Sequence, residues 1–446
     1  MKGCGKRNAG DAADLIFTVD HPTVFSQPVD WPFSVSATEW KPATPLEVSR
    51  MLTENFHGSR QPILPAGGCT SRRVGRDDAE RPVILVTENL NSLIDYPARD
   101  MTVTVQAGMR VSELQTLLAS EQQQLPIDIP QARQATIGGA IAANISGSSR
   151  FGYGTFRDYV IGVSAVDGQG RLFSAGGRVV KNVAGYDLCK LMIGSMGTLG
   201  VITQVTLKLI PKPHCRTFVL AGCPRASIVE AALSTLNLSS TRPVVMDLLN
   251  AKTIRQLQSD MGQQLPEEPD VLCIGYAGGT DETNWQMATV AGELLSSQTS
   301  QPQMIGGQAA ENLWQGLTEY QSASTAPFIF RAALLPSRIA SFVELCSQHS
   351  VAVQAHAGSG IVIGQLPDGC TDSQAARQLL RTLREQTQTC GGSLSLLSSQ
   401  DDGDLQRELF DTPFKGEPLM RQLKAAFDPA GVLNPGLWWT SGQIQK

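Results

Sequence analysis

The stretches of this 446-residue chain that speak most clearly of chemistry are those with almost no side chain. Gly194-Ser195-Met196-Gly197-Thr198-Leu199-Gly200 has glycine at every third position, a density suited to close backbone approach or positive φ. Upstream, Gln131 to Asn144 reads QARQATIGGAIAAN and Pro65 to Ser71 reads PAGGCTS. All three segments offer successive backbone N–H groups and hydroxyls with little bulk, a row of donors suited to a pyrophosphate. Each alone also fits a loop packed tightly on a sheet. Their concentration in one half of the chain points to one large anionic ligand.

The other half supplies a cation and a titratable ring. Arg331 lies in Phe328 to Pro336, FIFRAALLP, where a charge stands among apolar neighbours. A guanidinium there can bind a carboxylate bidentately, or it can extend its head to water or a surface acid. His356, in AHAGSG, can act as a base or ligand, or can be structural. His21, His57, His214 and His349 make no close pair with it, and no Glu-His-Gly occurs, so no metal site is expected. Nine cysteines without a CxxC pair read as reduced thiols and argue against an iron–sulfur cluster or zinc knuckle in this chain. Cys69, inside a glycine loop, fits a small apolar filler or a point of covalent attachment.

These groups need a scaffold, and the composition can build one. At 41% hydrophobic and 17% charged, the chain has material for two or three domains. A net charge of -5 with no basic, aromatic-interleaved block excludes nucleic acid as an expected partner. Behind the basic start no apolar run follows, so neither a secretory signal nor a bilayer span is expected and the default address is the cytoplasm.

Pro45 to Leu52 begins a helical pattern, Pro62 to Pro65 and Val83 to Val86 read as strands, and Met101 to Gly108 alternates like a strand with one covered face. Ser112 is placed to cap a helix whose stripe is Leu114, Leu117 and Leu118. Asp167-Gly168-Gln169-Gly170 has hairpin chemistry, and Val201 to Leu209 reads as a half-buried strand stopped by Pro211 and Pro213. Beyond it strands and helices alternate: Phe218–Ala221, Ile228–Leu236, Val244–Leu249, Val271–Tyr276, Trp285–Leu295, Phe328–Leu334, Ile339–Cys346 and Val351–Ile363. They suggest an α+β unit with an antiparallel sheet. A short helix over Leu419–Phe427 and the turn-rich FDPAGVLNPG close the chain.

The three glycine segments, the hairpin and KNVAGYDLCKLMIGSMGTLGVITQVTLKLIPKP resemble the FAD-binding domain of the vanillyl-alcohol oxidase (PCMH-type) superfamily. Within it they most resemble the FAD-binding GlcE-type subunits of bacterial glycolate oxidase. The resemblance implies an α+β fold with an N-terminal arm (1–35), a PCMH-type FAD domain (36–213), a cap domain (214–405) and a return segment (406–446). It implies FAD held by Ala66, Gly67, Gly68, Cys69, Thr70, Ser71, Thr136, Ile137, Gly138 and Gly139 at the pyrophosphate. Pro130, Ala142, Ser146 and Gly147 would lie near the flavin, and Gly200, Val201 and Ile202 near the adenosine end. Catalytic relatives carry a basic residue near the place of Arg331 and a histidine metal motif whose first half His356 resembles. They also often carry Glu at the position of Met196, so a neutral residue there fits the GlcE-type partner. The implied function is oxidation of a small 2-hydroxy acid such as glycolate, beside a second FAD subunit and an iron–sulfur subunit, peripheral at the inner face of the membrane. A stand-alone oxidase of another hydroxy acid or alcohol, or a flavin-binding assembly subunit without chemistry, are the alternatives.

Overall fold

The computed structural model describes residues 38–71, 82–177, 186–262, 264–322, 326, 328–371, 373–399 and 416–437. The expected N-terminal arm (1–35), residues 178–185, which include the start of the KNVAGYDLCK run, and residues 406–415 and 438–446 of the return segment lie outside them. Residues 35–446 form one compact unit.

Strands β1 (Thr38–Trp40), β2 (Ile63–Ala66) and β3 (Val83–Val86) form a parallel sheet in the order β1-β3-β2. Parallel neighbours need a crossover. The helix Pro45–His57 carries the chain from β1 to β2, the two strands that flank β3, with Pro45 at its first position, Thr44 Oγ1 accepting from Glu47 N, and Val48 and Leu52 buried. Strands β4 (Leu93–Asp95), β5 (Thr102–Gln106), β7 (Val160–Val166), β8 (Leu172–Gly176) and β9 (Val201–Lys208) make an antiparallel sheet, ordered β4-β5-β9-β7-β8. The short β6 (Gln123–Gln124) pairs with β10 (Ile210–Pro211). The β7–β8 hairpin forms as expected, its turn held by Asp167 Oδ1, which accepts from Gln169 N and Arg171 N.

Two local expectations fail for identifiable reasons. Strands β5 and β9 are buried on both faces, not one, because their threonines pair across the ladder: Thr104 and Thr206 hydroxyls are 3.0 Å apart. Alternation of Val with Thr therefore does not mark a solvent face. Ser112 does not cap its helix, which runs Val111–Ser120 with Arg110 at the cap position. The chain enters it tied by Val111 N to Ala135 O and Ser112 N to Ala132 O, so the buried stripe is Val111, Leu114 and Leu118.

The second half gives β11 (Cys215–Cys223), β12 (Val245–Asn250), β13 (Asp270–Gly278), β14 (Gln303–Ile305), β15 (Phe328–Ala333), β16 (Ala352–His356), β17 (Ile361–Gln365) and β18 (Ser393–Ser399). They form one antiparallel sheet ordered β14-β11-β13-β12-β16-β17-β15-β18. The run from Val351 to Ile363 is two strands joined by a tight turn in which Gly360 has φ +71°. Helices Ala226–Leu238, Thr280–Ser296, Ile339–Gln348 and Ser373–Thr389 cover one sheet face through Val229, Val290, Phe342 and Leu380. Helices Ala251–Met261 and Gly307–Glu319 cover the β11–β12 side of the other through Ile254 and Trp314, and reach β16 and β17 through the Leu317 carbonyl and Gln256. No helix among the described residues is long and apolar enough to cross a membrane.

The helix Glu417–Phe427 and the residues after it return to the first half: Ile63 N donates to Val432 O (2.8 Å) and Asn434 N to Ile63 O (2.9 Å). Lys424 and Asp428 fix this return. Lys424 Nζ donates to Asp428 (2.5 Å), Thr198 O and Leu433 O, and the Asp428 carboxylate also accepts from Val432 N and Leu433 N. Both are buried, and burial outweighs Asp428 in pulling the Lys424 pKa down. Removing one partner strands the other charge, so Lys424→Met is expected to cost about 3–5 kcal/mol. A lowered denaturation midpoint checks this; an unchanged midpoint would show that the contact is dispensable.

Candidate active site

The loop after β2 and the segment before helix Ile137–Ala143 touch. A Cβ on Gly67 would collide with Thr136 Oγ1, and one on Gly68 with the Gln134 carbonyl. Cys69 follows in the left-handed region (φ 54°), which directs the chain through Thr70 and Ser71 past that contact. Thr136 caps the helix by accepting from Gly139 N. Gly138 faces protein: its N donates to Ala107 O (2.7 Å), and a Cβ would lie 2.6 Å from that of Ala107. Gly139 is the open position, its nearest neighbour for a Cβ being Thr136 Oγ1 at 3.0 Å.

A second wall stands beside the first. Helix Ile137–Ala143 ends at Asn144 (φ 51°), and the 194–198 loop docks on that end through Gly194 N to Ile141 O and Met196 N to Ala142 O. Gly197 packs against Pro65, and Asn434 Nδ2 donates to Met196 O, so the two loops and the return segment meet. Here the Asn144 Oδ1 and Ser195 Oγ atoms are buried without a hydrogen-bond partner. Buried polar atoms are ordinarily satisfied. Two orphans beside glycine loops are what a cradle for a polar cofactor would leave, so these residues fit a flavin nucleotide.

The remaining expected contacts divide. Ser146 accepts from Arg150 Nη1 (2.9 Å), Gly147 packs on Asp128, and Pro130 is buried. Gly200 is needed close to Val166 O, while Val201 and Ile202 face apolar cores and pair with Val166 and Ala165 of β7. The structure thus places the Val201 and Ile202 side chains in the apolar cores on the sheet.

His356 and Arg331 come together by register. Asp247 of β12 lies opposite His356, and Gln354 of β16, Ile363 of β17 and Arg331 of β15 are cross-strand partners. Cross-strand partners share a face, so all five side chains lie on the face that the four covering helices leave free. Two strand spacings separate β16 from β15, roughly 10 Å. Asp247 is fully buried and accepts from Ser148 Oγ (2.5 Å), Gln354 Nε2 (2.9 Å) and His356 Nδ1 (2.8 Å). Donating Nδ1–H to the carboxylate leaves Nε2 as the acceptor. Among the described residues Nε2 has no hydrogen-bond partner.

Arg331 has no hydrogen-bond or acidic partner for its guanidinium among the described residues; burial, then the like charge of Arg150, pushes its pKa down to about 10, so it stays charged at neutral pH. A cavity of about 400 Å³ beside Asp128, Trp314 and Arg216 includes none of the predicted site residues, and its arginine is balanced by Glu311 at 3.1 Å. No group of three or more metal-ligating side chains occurs among the described residues.

Asp247, Ser148, Gln354, Arg150 and Ser195 were not singled out from sequence. One signal was available: Asp247 is the lone acid in the apolar run Val244 to Leu249.

Residues 40–176 match the FAD binding domain model, and residues 212–396 with 412–437 match that of the FAD linked oxidases C-terminal domain. The chain belongs to the FAD-linked oxidase superfamily. It binds FAD and is an FAD-dependent oxidoreductase of the PCMH-type fold. It is 28% identical to the glycolate oxidase subunit GlcD of Bacillus subtilis (87% of this chain, 86% of that protein). To a D-2-hydroxyglutarate dehydrogenase of Xanthomonas citri it is 28% identical (84% and 83%), and to GlcE of Escherichia coli 29% (77% and 83%). The GlcD match is as close as the GlcE match and longer, so the superfamily stands and the GlcE-type assignment is not singled out. A solved alkyldihydroxyacetonephosphate synthase shares the fold (TM-score 0.62, 17% identity, 89% of this chain and 75% of that one).

Gly139→Trp fills the open position of the cradle. It is expected to give soluble protein without FAD, read from the ratio of visible to ultraviolet absorbance; full occupancy would place the cofactor elsewhere.

Proposed function

We propose that the chain oxidises a small 2-hydroxy acid, with glycolate the first candidate, to the 2-oxo acid. The observation that carries this is one sheet face presenting both a proton acceptor, His356 Nε2, and an uncompensated cation, Arg331. FAD supplies the two-electron acceptor when bound. The chain's own part is to orient the substrate and hold its proton. Arg331 takes the carboxylate through its two-pronged fork. His356 receives the hydroxyl proton at Nε2, and Asp247 fixes the ring and its tautomer while stabilising the charge that forms.

The FAD contacts we propose are Ala66 to Ser71 with Thr136, Ile137 and Gly139 at the pyrophosphate, and Ala142 to Gly147 with Pro130 near the flavin. The open position at Gly139 and the orphaned Asn144 and Ser195 atoms support this. The proposed division is an FAD domain over 36–213, a cap over 214–405 and a return from 406. The relatives named as glycolate oxidase subunits support a place in such a complex, beside a second FAD subunit and an iron–sulfur subunit, in the cytoplasm or at the inner membrane face. The neutral Met196 supports the GlcE-type role. One observation favours a second reading, an assembly subunit without its own chemistry: the sequence has no Glu-His-Gly to complete the histidine motif.

Anaerobic addition of glycolate to the purified FAD-loaded chain separates the two. Bleaching of the flavin band without partners is expected; bleaching only in a reconstituted complex would assign the chemistry to a partner. Arg331→Lys is expected to lower turnover with FAD content unchanged, because the fork is lost. Asp247→Asn is expected to lower kcat by roughly 10²–10⁴-fold with FAD retained, since the ring loses its orienting acceptor. Unaltered kinetics of either variant would retire that residue.

A further inference from the structure

We propose that Ser148 is a positioning residue: it ties the loop after helix Ile137–Ala143 to the Asp247 carboxylate and so holds His356 Nε2 in a fixed place relative to that loop. This rests on the reading of His356 as the proton acceptor and names what sets its place beside the cofactor's half of the site.

Ser148 is 2% exposed, and its hydroxyl has a defined polarity. Gln354 Nε2 can only donate and reaches Ser148 Oγ at 3.0 Å, while the Asp247 carboxylate can only accept and lies 2.5 Å away. The hydroxyl proton therefore points at Asp247 Oδ2. A bond of this kind to a charged acceptor is short and strong. Asp247 Oδ1 meanwhile accepts from His356 Nδ1 at 2.8 Å, so the two oxygens hold the carboxylate plane from opposite ends. One end belongs to the ring and the other to the loop.

The loop is itself pinned on both sides of Ser148. Ser146 O accepts from Gln321 Nε2 (3.3 Å), and the Gly147 backbone lies against Asp128, where a Cβ would come within 2.6 Å of that residue's own. Ser149 N donates to Asp128 Oδ2 (2.7 Å), whose Oδ1 accepts from Trp314 Nε1 (3.0 Å). Gln354 already gives Asp247 Oδ2 a donor at 2.9 Å, so the acid is not bare without Ser148. What Ser148 adds is the link to the loop, because Gln354 lies on the same strand as His356 and cannot carry the loop's position to the ring.

The test compares Ser148→Ala, Asp247→Asn and the double variant in the FAD-loaded full chain. Ser148→Ala removes one atom and leaves Asp247 its Gln354 donor, so a folded, flavin-loaded protein is expected. Its flavin-reduction rate at saturating glycolate is expected to fall about tenfold, the worth of one charge-assisted bond, with the half-saturating glycolate concentration unchanged. In the Asp247→Asn background the same substitution is expected to change nothing further, because Ser148 acts through that carboxylate. The far-downfield proton resonance of His356 Nδ1–H, assigned by its loss in His356→Gln, is expected to shift in Ser148→Ala. A lowered denaturation midpoint with rate and proton resonance unaltered would make Ser148 a structural partner and overturn the proposal. So would a full further tenfold loss in the double variant, or loss of FAD from Ser148→Ala, which would assign the hydroxyl to the cofactor. Should no small 2-hydroxy acid reduce the parent flavin, the oxidation reading falls alone; the proton resonance then decides the link, and an unmoved signal in Ser148→Ala overturns it.

Discussion

A single buried carboxylate joins the two halves of this site. Asp247 is wholly removed from water, and a bare carboxylate there would be several kcal/mol too costly without compensation. Its compensation comes from three donors on two elements: Ser148 from the loop after helix Ile137–Ala143, and Gln354 and His356 from β16. Gln354 also reaches Ser148 Oγ and Leu317 O, so its amide closes the network against helix Gly307–Glu319. Geometry at the acceptor nitrogen is thereby tied to the loop that borders the proposed flavin position. The ring cannot rotate freely while the carboxylate keeps all of its donors.

The charge pattern of the sheet explains why the cation and the base can coexist. Arg331 lies one strand beyond Ile363, and the Asp247 carboxylate is already consumed by three donors on the far side. The acid therefore serves the histidine and leaves the guanidinium unpaired. Had Asp247 stood one residue along β12, the strand pleat would have turned it into the apolar layer with Met246 and Leu248. Register, more than residue identity, decides that these groups cooperate.

The glycine segments were legible in the sequence because close backbone approach leaves a compositional trace. Gly67, Gly68 and Gly138 all prove to be places where a Cβ meets neighbouring protein atoms. Their separate roles were not legible: Gly138 serves helix packing, and Val201 and Ile202 serve the sheet core. The helices Ala251–Met261, Gly307–Glu319 and Ser373–Thr389 escaped reading, as did the edge strands Gln303–Ile305 and Ser393–Ser399. The three helices are amphipathic, but their apolar stripe is narrow and set among Gln, Thr and charged residues, so they show no apolar run in the linear sequence; the short strands are decided by tertiary contacts. Arg331 and His356 were found as types out of place among apolar neighbours. Their common face depends on the strand order β12-β16-β17-β15, which no local pattern encodes.

The cradle loops are in turn not self-supporting. Glycine-rich chain loses more conformational freedom on ordering than any other, so a loop such as 194–200 needs fixed neighbours to hold a single shape. Those neighbours come from far along the chain: Lys424 on the Thr198 carbonyl, Asn434 on the Met196 carbonyl, and Val432 with Asn434 on the backbone of Ile63. Asp428 holds that return turn in place and also lies against Gly168 of the hairpin. The return segment thus acts on three loops at once. It adds no group suited to redox chemistry, yet it orders the backbone donors that would meet the cofactor before any ligand arrives. Ordering them beforehand removes that entropic cost from binding, which is the physical reason for bringing the end of the chain back to the start of the fold.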